Sequence, residues 1–198
     1  MIRAVIFDLW GVLATKNPRV FDVMARDMHI SNDARPYFIE LLAEMEAGKL
    51  DEDGFWQRFC QSQQRERPTK GTATWSQYYQ EITHINDDLL QLVQQLKHNG
   101  YKVAIISNID KYAVQHMRDK GLASHFDITI FSCEVGLLKP DPAIYKLAIE
   151  QLGVQPAEAF FTDDKPAKVA GAKAVGLQAI VFTDTQSLRQ ELSKLINL

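Results

Sequence analysis

The stretch AVIFDLWGVLA at residues 4–14 joins a short apolar run to an acidic residue and a turn. The apolar run stops at Asp8, and Gly11 supplies a turn three residues later. An acidic side chain at the end of a buried strand indicates a reactive group displayed at the edge of a sheet. Trp10 stands two residues after Asp8, where a second carboxylate would complete an acid/base pair.

Four further apolar runs have the same character, because they are rich in Val, Ile and Phe and lack polar alternation. The five predicted strands are RAVIFDLW at 3–10, KVAIISN at 102–108, ITIFSC at 128–133, AFFTD at 159–163 and QAIVFT at 178–183. Strands that are covered on both faces have this pattern, which favours a parallel sheet. Helical patterns separate the later strands, so the sequence predicts a doubly wound, Rossmann-like α/β fold.

Residues 15–85 break this alternation of strands and helices. They contain four helical patterns and no convincing strand run. An insertion of this length is too long for a connecting loop, and such insertions are usually functional. We therefore predict an α/β core formed by residues 1–14 and 86–198, with residues 15–85 as a helical cap inserted after the first strand.

The composition of the 198 residues is that of an ordinary globular protein, with 46% hydrophobic residues and a net charge of −3. Lys and Arg are scattered, which argues against nucleic acid as a partner. No apolar stretch is long enough to span a bilayer, and no signal peptide is evident. Cys60 and Cys133 are far apart and predict free thiols in a reducing cytosol. These features predict a cytoplasmic protein without a membrane partner.

Polar residues follow four of the predicted strands in chain order. They are Asp8, the pair Ser107 and Asn108, Lys139 within GLLKPDP, and the pair Asp163 and Asp164. Each alone has a structural explanation as a turn, a helix cap or a rigid helix start. Together they would meet at the carboxyl edge of the sheet, where open α/β folds bind ligands. Several carboxylates buried together cost free energy unless a cation compensates them.

This set of residues suits phosphoryl transfer. Asp8 can attack phosphorus and form an aspartyl-phosphate. Mg²⁺ prefers hard oxygen ligands. Asp8, Asp164 and the backbone carbonyl of Trp10 are predicted to supply them, with Asp163 acting directly or through a bound water.

The phosphate oxygens would be held by the Ser107 hydroxyl, the Lys139 ammonium, backbone N–H groups and the residue Asn108 before the next helix. The predicted catalytic residues are therefore Asp8, Lys139 and Ser107. The predicted substrate-binding residues are Ser107, Asn108 and Lys139.

Four motifs in this chain resemble those of the haloacid dehalogenase superfamily, in the subfamily with a small helical cap after the first strand. They are FDLWGVL, IISN, GLLKPDPAIY and FFTDDKPAKVAGAKAVGL. The segment SCEVGLLKPDPAIYKLAIEQLGV is most similar to the branch that holds sugar-phosphate phosphatases and the N-terminal phosphatase domain of soluble epoxide hydrolases. The resemblance implies Mg²⁺-dependent hydrolysis of a small phosphorylated metabolite, with the residue roles given above. We expect the protein to be a monomer or a homodimer.

Two positions depart from the family pattern. Most phosphatases of the superfamily carry an acid/base Asp where this chain has Trp10, whose indole cannot transfer a proton at neutral pH. The loss of such a group lowers the rate of hydrolysis by roughly 10²- to 10⁴-fold. The loss matters least for esters with a good leaving group, such as an anomeric or acyl phosphate. Lys168 stands where many relatives carry Asn. It either adds positive charge near the site or points to solvent, and we favour solvent.

Two alternative functions remain. Haloacid dehalogenases also carry an aromatic residue two places after the nucleophile and displace halide from carbon without a metal. They lack an acidic pair like Asp163 and Asp164, which argues against this alternative. The second alternative is a catalytically weak protein that binds a phosphorylated metabolite without turnover.

The predicted cap offers several residues for substrate selection. Trp56 and Phe59 are interpreted as core residues, and Glu46 and Lys49 as surface charges. Any of these, or His29 and Arg35, could reach the site. The five histidines show no metal-ligand spacing, and they stand at positions 29, 84, 98, 116 and 125.

Overall fold

The computed structural model describes residues 1–16, 20–66 and 75–198, and seven strands lie within these ranges. They are β1 (Ala4–Phe7), β2 (Ala14–Lys16), β3 (Thr83–Ile85), β4 (Lys102–Ser107), β5 (Ile128–Phe131), β6 (Ala159–Asp163) and β7 (Gln178–Val181). Five of them form a parallel sheet in the order β5-β4-β1-β6-β7. The predicted doubly wound α/β fold is confirmed, and β1 lies at the centre of the sheet.

Helices cover both faces of this sheet. The α-helices are α1 (Val20–Met28), α2 (Arg35–Glu46), α3 (Glu52–Ser62), α4 (Trp75–Ile82), α5 (Asp87–His98), α6 (Lys111–Asp119), α7 (Ser132–Val135), α8 (Pro142–Leu152), α9 (Pro166–Ala174) and α10 (Thr185–Ser193). Side chains of a strand alternate between faces. Val5 and Phe7 accordingly join the core beneath α5 and α10, while Ala4 and Ile6 join the core beneath α8 and α9. The apolar run of β1 is thus buried on both sides.

The insertion between β2 and β3 is helical, as predicted, and contains α1 to α4. Trp56 and Phe59 are buried in it, as expected, within an aromatic cluster that includes Phe38, Phe55 and Trp75. The exact cap boundaries of 15–85 stay a prediction. Residues 17–19 and 67–74 of this range lie outside the described ones.

The expectation that 15–85 holds no strand is wrong. Strands β2 and β3 pair antiparallel, with Ala14 opposite Ile85 and Lys16 opposite Thr83. Three-residue strands are too short to show a period in the sequence. The pair joins the two ends of the helical insertion next to the turn that follows β1.

Two further expectations concern the whole chain. Cys60 and Cys133 are free thiols, as predicted. None of the described helices combines the length and the apolar character needed to cross a membrane.

Candidate active site

Three of the predicted site residues meet at the carboxyl edge of the sheet. Asp8 directly follows β1, while Ser107 ends β4 and Asp163 ends β6. The strand register aligns these ends, because Phe7 lies opposite both Ile105 of β4 and Thr162 of β6. The backbone N–H of Asp8 donates to the carbonyl of Thr162 at 2.9 Å, which extends the ladder by one residue. All three side chains are buried.

Lys139 joins this group from the loop between α7 and α8. Its buried Nζ lies 2.7 Å from Oδ1 of Asp8 and 2.6 Å from Oδ2 of Asp163. Asn108 fixes the backbone of this loop, since its Oδ1 accepts from Lys139 N at 2.8 Å and its Nδ2 donates to the Lys139 carbonyl at 3.0 Å. The sequence placed Asn108 at the site without revealing that both ends of its amide are bound to Lys139.

The three acidic side chains form a compact oxygen cluster. One carboxylate oxygen from each of Asp8, Asp163 and Asp164 lies within 4.8 Å of the others. Oδ2 of Asp8 and Oδ1 of Asp164 are buried and have no hydrogen-bond donor among the described residues. Gly11, with a φ of +87°, leaves room for this cluster, because a Cβ there would lie 2.6 Å from Cγ of Asp164. Acceptor oxygens without donors, in a space that a side chain would close, fit a hard divalent cation such as Mg²⁺.

Lys168 lies at the site, so the expectation that it points to solvent is wrong. Its Nζ is 3.9 Å from Oδ2 of Asp8 and 4.0 Å from Oδ2 of Asp163. The neighbouring Lys165 pairs with Oδ2 of Asp164 at 2.7 Å. A clue was present in the sequence, because both lysines stand at the start of the helix that follows the acidic pair, and this helix begins at the carboxyl edge of the sheet.

The charges at the site shift one another's pKa values. Burial raises the pKa of Asp8, and Asp163 adds to this rise while Lys139 and Lys168 oppose it. Burial would lower the pKa of Lys168, but the carboxylates of Asp8 and Asp163 outweigh it and the pKa is raised. Lys168 is therefore a cation at neutral pH.

An open cavity of about 450 Å³ lies above these groups. It is lined by Trp10, Gly11, Thr15, Glu46, Asn108, Asp164, Lys165 and Lys168. Glu46 is half-buried at the end of cap helix α2, so its interpretation as a simple surface charge is wrong. Lys49 is exposed, as expected. Arg35 pairs with Asp22 at 3.0 Å, and neither Arg35 nor His29 belongs to the described lining of this cavity.

Trp10 packs against the cap. Its ring is stacked on that of Tyr79 in α4, with centroids 5.8 Å apart and planes 14° from parallel. The Tyr79 hydroxyl donates to Oδ2 of Asp110, whose Oδ1 accepts from the N–H groups of Tyr112 and Ala113 at the start of α6. Trp10 thus connects the turn after β1 to both the cap and the core.

Comparison with known proteins agrees with this arrangement. The family model described as haloacid dehalogenase-like hydrolase matches residues 2–176. The chain belongs to the haloacid dehalogenase-like hydrolases. The predicted resemblance is thereby confirmed.

Among curated relatives of this hydrolase, the rat (Rattus norvegicus) bifunctional epoxide hydrolase 2 is 36% identical over 115 residues, which is 56% of the chain. The chain spans about a fifth of the length of that relative, which it matches over 21%. A phosphorylated carbohydrates phosphatase of Thermotoga maritima is 26% identical over 90% of the chain and 84% of its own length.

The fold has a close counterpart among solved structures. A haloacid dehalogenase family enzyme of Bacteroides thetaiotaomicron, solved in complex with magnesium and inorganic phosphate, superposes with a TM-score of 0.79. The two chains are 20% identical, and the match covers 95% of this hydrolase and 99% of that chain. The likeness at this identity supports the fold.

Proposed function

We propose that this hydrolase cleaves small phosphomonoesters, of the sugar-phosphate class, through a phosphorylated Asp8. The observation that carries the proposal is the environment of the Asp8 carboxylate. One of its oxygens contacts the Lys139 ammonium at 2.7 Å, and the other is buried without a hydrogen-bond donor among the described residues. The phosphatase named among its relatives supports the same reaction and substrate class.

The reaction has two displacements at phosphorus. In the first, an Asp8 oxygen forms a bond to phosphorus, the ester P–O bond breaks, and the leaving oxygen takes the bonding electrons and then a proton. In the second, water attacks the same phosphorus, the bond between the Asp8 oxygen and phosphorus breaks, and inorganic phosphate leaves. The attacking water releases a proton to solvent, which replaces the one that the leaving oxygen took. Asp8 returns to a carboxylate, and the net change is the addition of one water molecule.

Lys139 and Ser107 stabilise the charge on the phosphoryl oxygens in this proposal. Lys139 is held against Asp8 and can contact a phosphoryl group that Asp8 attacks. Ser107 supports this role because its hydroxyl oxygen is buried and has no hydrogen-bond partner among the described residues. Asn108 acts through Lys139, since its amide holds the Lys139 backbone on both sides.

The metal ligands proposed for Mg²⁺ are Asp8, Asp164 and the backbone carbonyl of Trp10, with Asp163 acting directly or through water. When bound, Mg²⁺ would neutralise charge on the phosphoryl group as it transfers. The bare oxygens of Asp8 and Asp164 support this ligand set. Asp163 is already engaged by Lys139 and by the Lys165 backbone N–H, which supports its indirect role.

The leaving group must obtain its proton without Trp10. The indole stacks on Tyr79 and offers no group that titrates near neutral pH. We therefore expect the enzyme to favour esters whose leaving oxygen needs little protonation, such as aldose 1-phosphates and acyl phosphates.

The test is phosphate release from an aldose 1-phosphate, a hexose 6-phosphate, acetyl phosphate and an aryl phosphate, in Mg²⁺ and in EDTA. Release that needs Mg²⁺ and is lost in Asp8→Asn supports the proposal. Equal release from Asp8→Asn would overturn the role of Asp8. An absence of release from every ester, with inorganic phosphate still raising the Tm, would favour a protein that binds a phosphorylated metabolite without turnover.

A further inference from the structure

We propose that Lys165 and Lys168 compensate the carboxylate cluster when no divalent cation is bound, so that the cation binds by displacing their ammonium groups. This inference rests on the metal site of the proposed function. It assigns a role to Lys168, which we expected to point to solvent, and to Lys165, for which the sequence predicted no role.

Lys165 forms an ion pair with Asp164, one of the proposed metal ligands. Its Nζ lies 2.7 Å from Oδ2 of Asp164. The Lys165 side chain is 62% exposed, and a flexible aliphatic stem carries its ammonium group. The ammonium can therefore leave the carboxylate at little cost in free energy. A cation that uses Asp164 must compete with this ion pair.

Lys168 lies deeper. Its side chain is only 22% exposed, and its Nζ sits 3.9 Å from Oδ2 of Asp8 and 4.0 Å from Oδ2 of Asp163. Oδ2 of Asp8 is also the oxygen that has no hydrogen-bond donor among the described residues. A divalent cation bound to this oxygen would therefore lie near a second positive charge in a partly buried environment, where repulsion is weakly screened.

The balance of charge at the site leads to the same conclusion. The three carboxylates of the cluster face three ammonium groups, and Lys139 supplies the third from its bridge between Asp8 and Asp163. Glu46 adds a fourth negative charge beside Lys168. A divalent cation still gives the site an excess of positive charge, unless an ammonium group withdraws. Lys139 is fully enclosed, so Lys165 and Lys168 are the two that can move away.

Titration calorimetry with Mg²⁺ alone tests the inference on the full chain. Lys168→Met should tighten Mg²⁺ binding by about 10- to 100-fold, the usual size of an effect from a group just outside a metal's ligands. Lys165→Met should tighten it less, because its charge is more exposed to water. Lys194→Met is the matched control. Lys194 is 64% exposed and pairs with Glu191 at 2.6 Å, so its loss changes the net charge equally but far from the site.

Thermal unfolding in EDTA and in Mg²⁺ gives a second readout. Lys168→Met should lower the Tm in EDTA, because the carboxylates lose a counter-charge, and Mg²⁺ should restore more of the Tm than it adds to the wild-type protein. Mg²⁺ affinities of both site variants equal to or weaker than that of Lys194→Met would overturn the inference. So would an absence of Mg²⁺ binding by every variant.

The two proposals fail in different ways. Tighter Mg²⁺ binding in Lys168→Met, combined with no phosphate release from any ester, supports the lysine inference and removes the proposed reaction. Mg²⁺-dependent release with unchanged affinities in both lysine variants removes the inference and keeps the reaction.

Discussion

The indole of Trp10 lies nearly parallel to the ring of Tyr79, 5.8 Å away, and so connects the turn after β1 to the cap. Tyr79 in turn donates its hydroxyl to Asp110, the N-cap residue of α6. Residue 10, where the family resemblance led us to expect an acid/base carboxylate, is here an aromatic residue packed against the cap. Changes at this position should therefore alter stability and catalysis in opposite directions.

Trp10→Asp should gain activity and lose stability. The carboxylate would supply the missing general acid, and phosphate release from a poor leaving group such as a hexose 6-phosphate should rise by roughly 10- to 100-fold, within the usual range of acid/base catalysis. Loss of the stack with Tyr79 should reduce the free energy of unfolding by about 1–3 kcal/mol. Urea denaturation and steady-state kinetics measure the two effects.

Trp10→Phe is the control for this prediction, since it keeps an aromatic ring against Tyr79 and adds no acid. It should leave phosphate release near the wild-type rate and cost less stability than Trp10→Asp. If Trp10→Asp and Trp10→Phe released phosphate equally slowly from all esters, the absence of an acid at position 10 would not be what limits the rate.

Tyr79→Phe should separate the stack from the hydrogen bond. The phenylalanine ring can remain against Trp10, while the buried carboxylate of Asp110 loses one donor and keeps the N–H groups of Tyr112 and Ala113. A hydrogen bond to a charged group contributes about 1.5–3 kcal/mol, so the free energy of unfolding should fall by about that amount. Urea denaturation is the measurement, and a change below about 0.5 kcal/mol would contradict it.

The core of this fold could be predicted because each strand of the parallel sheet carries a mainly apolar run that is followed by polar residues. Asp8, Ser107 and Asp163 are visible in the sequence because the strand register brings the ends of parallel strands together, whatever the cap does. The two-stranded pairing of Ala14–Lys16 with Thr83–Ile85 was missed, since such short strands are specified by their position in the fold rather than by a pattern.

The positions of Lys168 and Glu46 could not be predicted for a different reason. Both are charged residues at helix termini, and a sequence alone does not say which way such a side chain turns. Lys168 turns inward because Asp8 and Asp163 attract it. Glu46 reaches the cavity because the end of α2 is fixed over the core, where the Ser132 hydroxyl donates to the Glu46 carbonyl at 2.6 Å.

Gly11→Ala should weaken Mg²⁺ binding as well as stability. The φ of +87° at Gly11 disfavours any side chain, and a Cβ would lie 2.6 Å from Oδ2 of Asp164. Gly100→Ala is a matched control, because Gly100 has a φ of +85° and nothing within 4 Å of the added atom. Both variants should lose about 1–2 kcal/mol through backbone strain.

The comparison between these two glycines is informative in Mg²⁺ titrations. Gly11→Ala alone should show weaker Mg²⁺ binding, since only there does the added methyl group push on a proposed ligand. Equal Mg²⁺ affinities in Gly11→Ala and Gly100→Ala would mean that Asp164 does not hold the cation.

Asn108→Ala should lower kcat, because it changes the position of Lys139. The variant loses the two hydrogen bonds that hold the Lys139 backbone, so the Lys139 ammonium loses its fixed position against Asp8. We expect kcat for acetyl phosphate to fall by about 10- to 100-fold, because a small misplacement of a charged group has effects of this size.

Asn86→Ala serves as the control for Asn108→Ala. Asn86 likewise uses its amide to fix a loop, since it donates to the Val12 carbonyl and caps α5 through Leu89 N. Its loss should lower the free energy of unfolding by about 1–2 kcal/mol and leave kcat nearly unchanged. A similar fall in kcat in both variants would indicate a general loosening of the structure instead of a specific role for Asn108.

His116 should make the protein less stable as the pH is lowered through the range in which a histidine titrates. Burial lowers the pKa of His116, with a further contribution from Lys120 that Asp119 opposes. A histidine with a lowered pKa in the folded state takes up its proton more readily when unfolded, so the unfolded state binds more protons below about pH 6.5 and acid favours unfolding.

His116→Gln removes this difference. Urea denaturation between about pH 7.5 and pH 5.5 should therefore show a smaller loss of stability in His116→Gln than in the wild-type protein. Identical pH slopes for His116→Gln and the wild-type protein would show that His116 is not the group that responds.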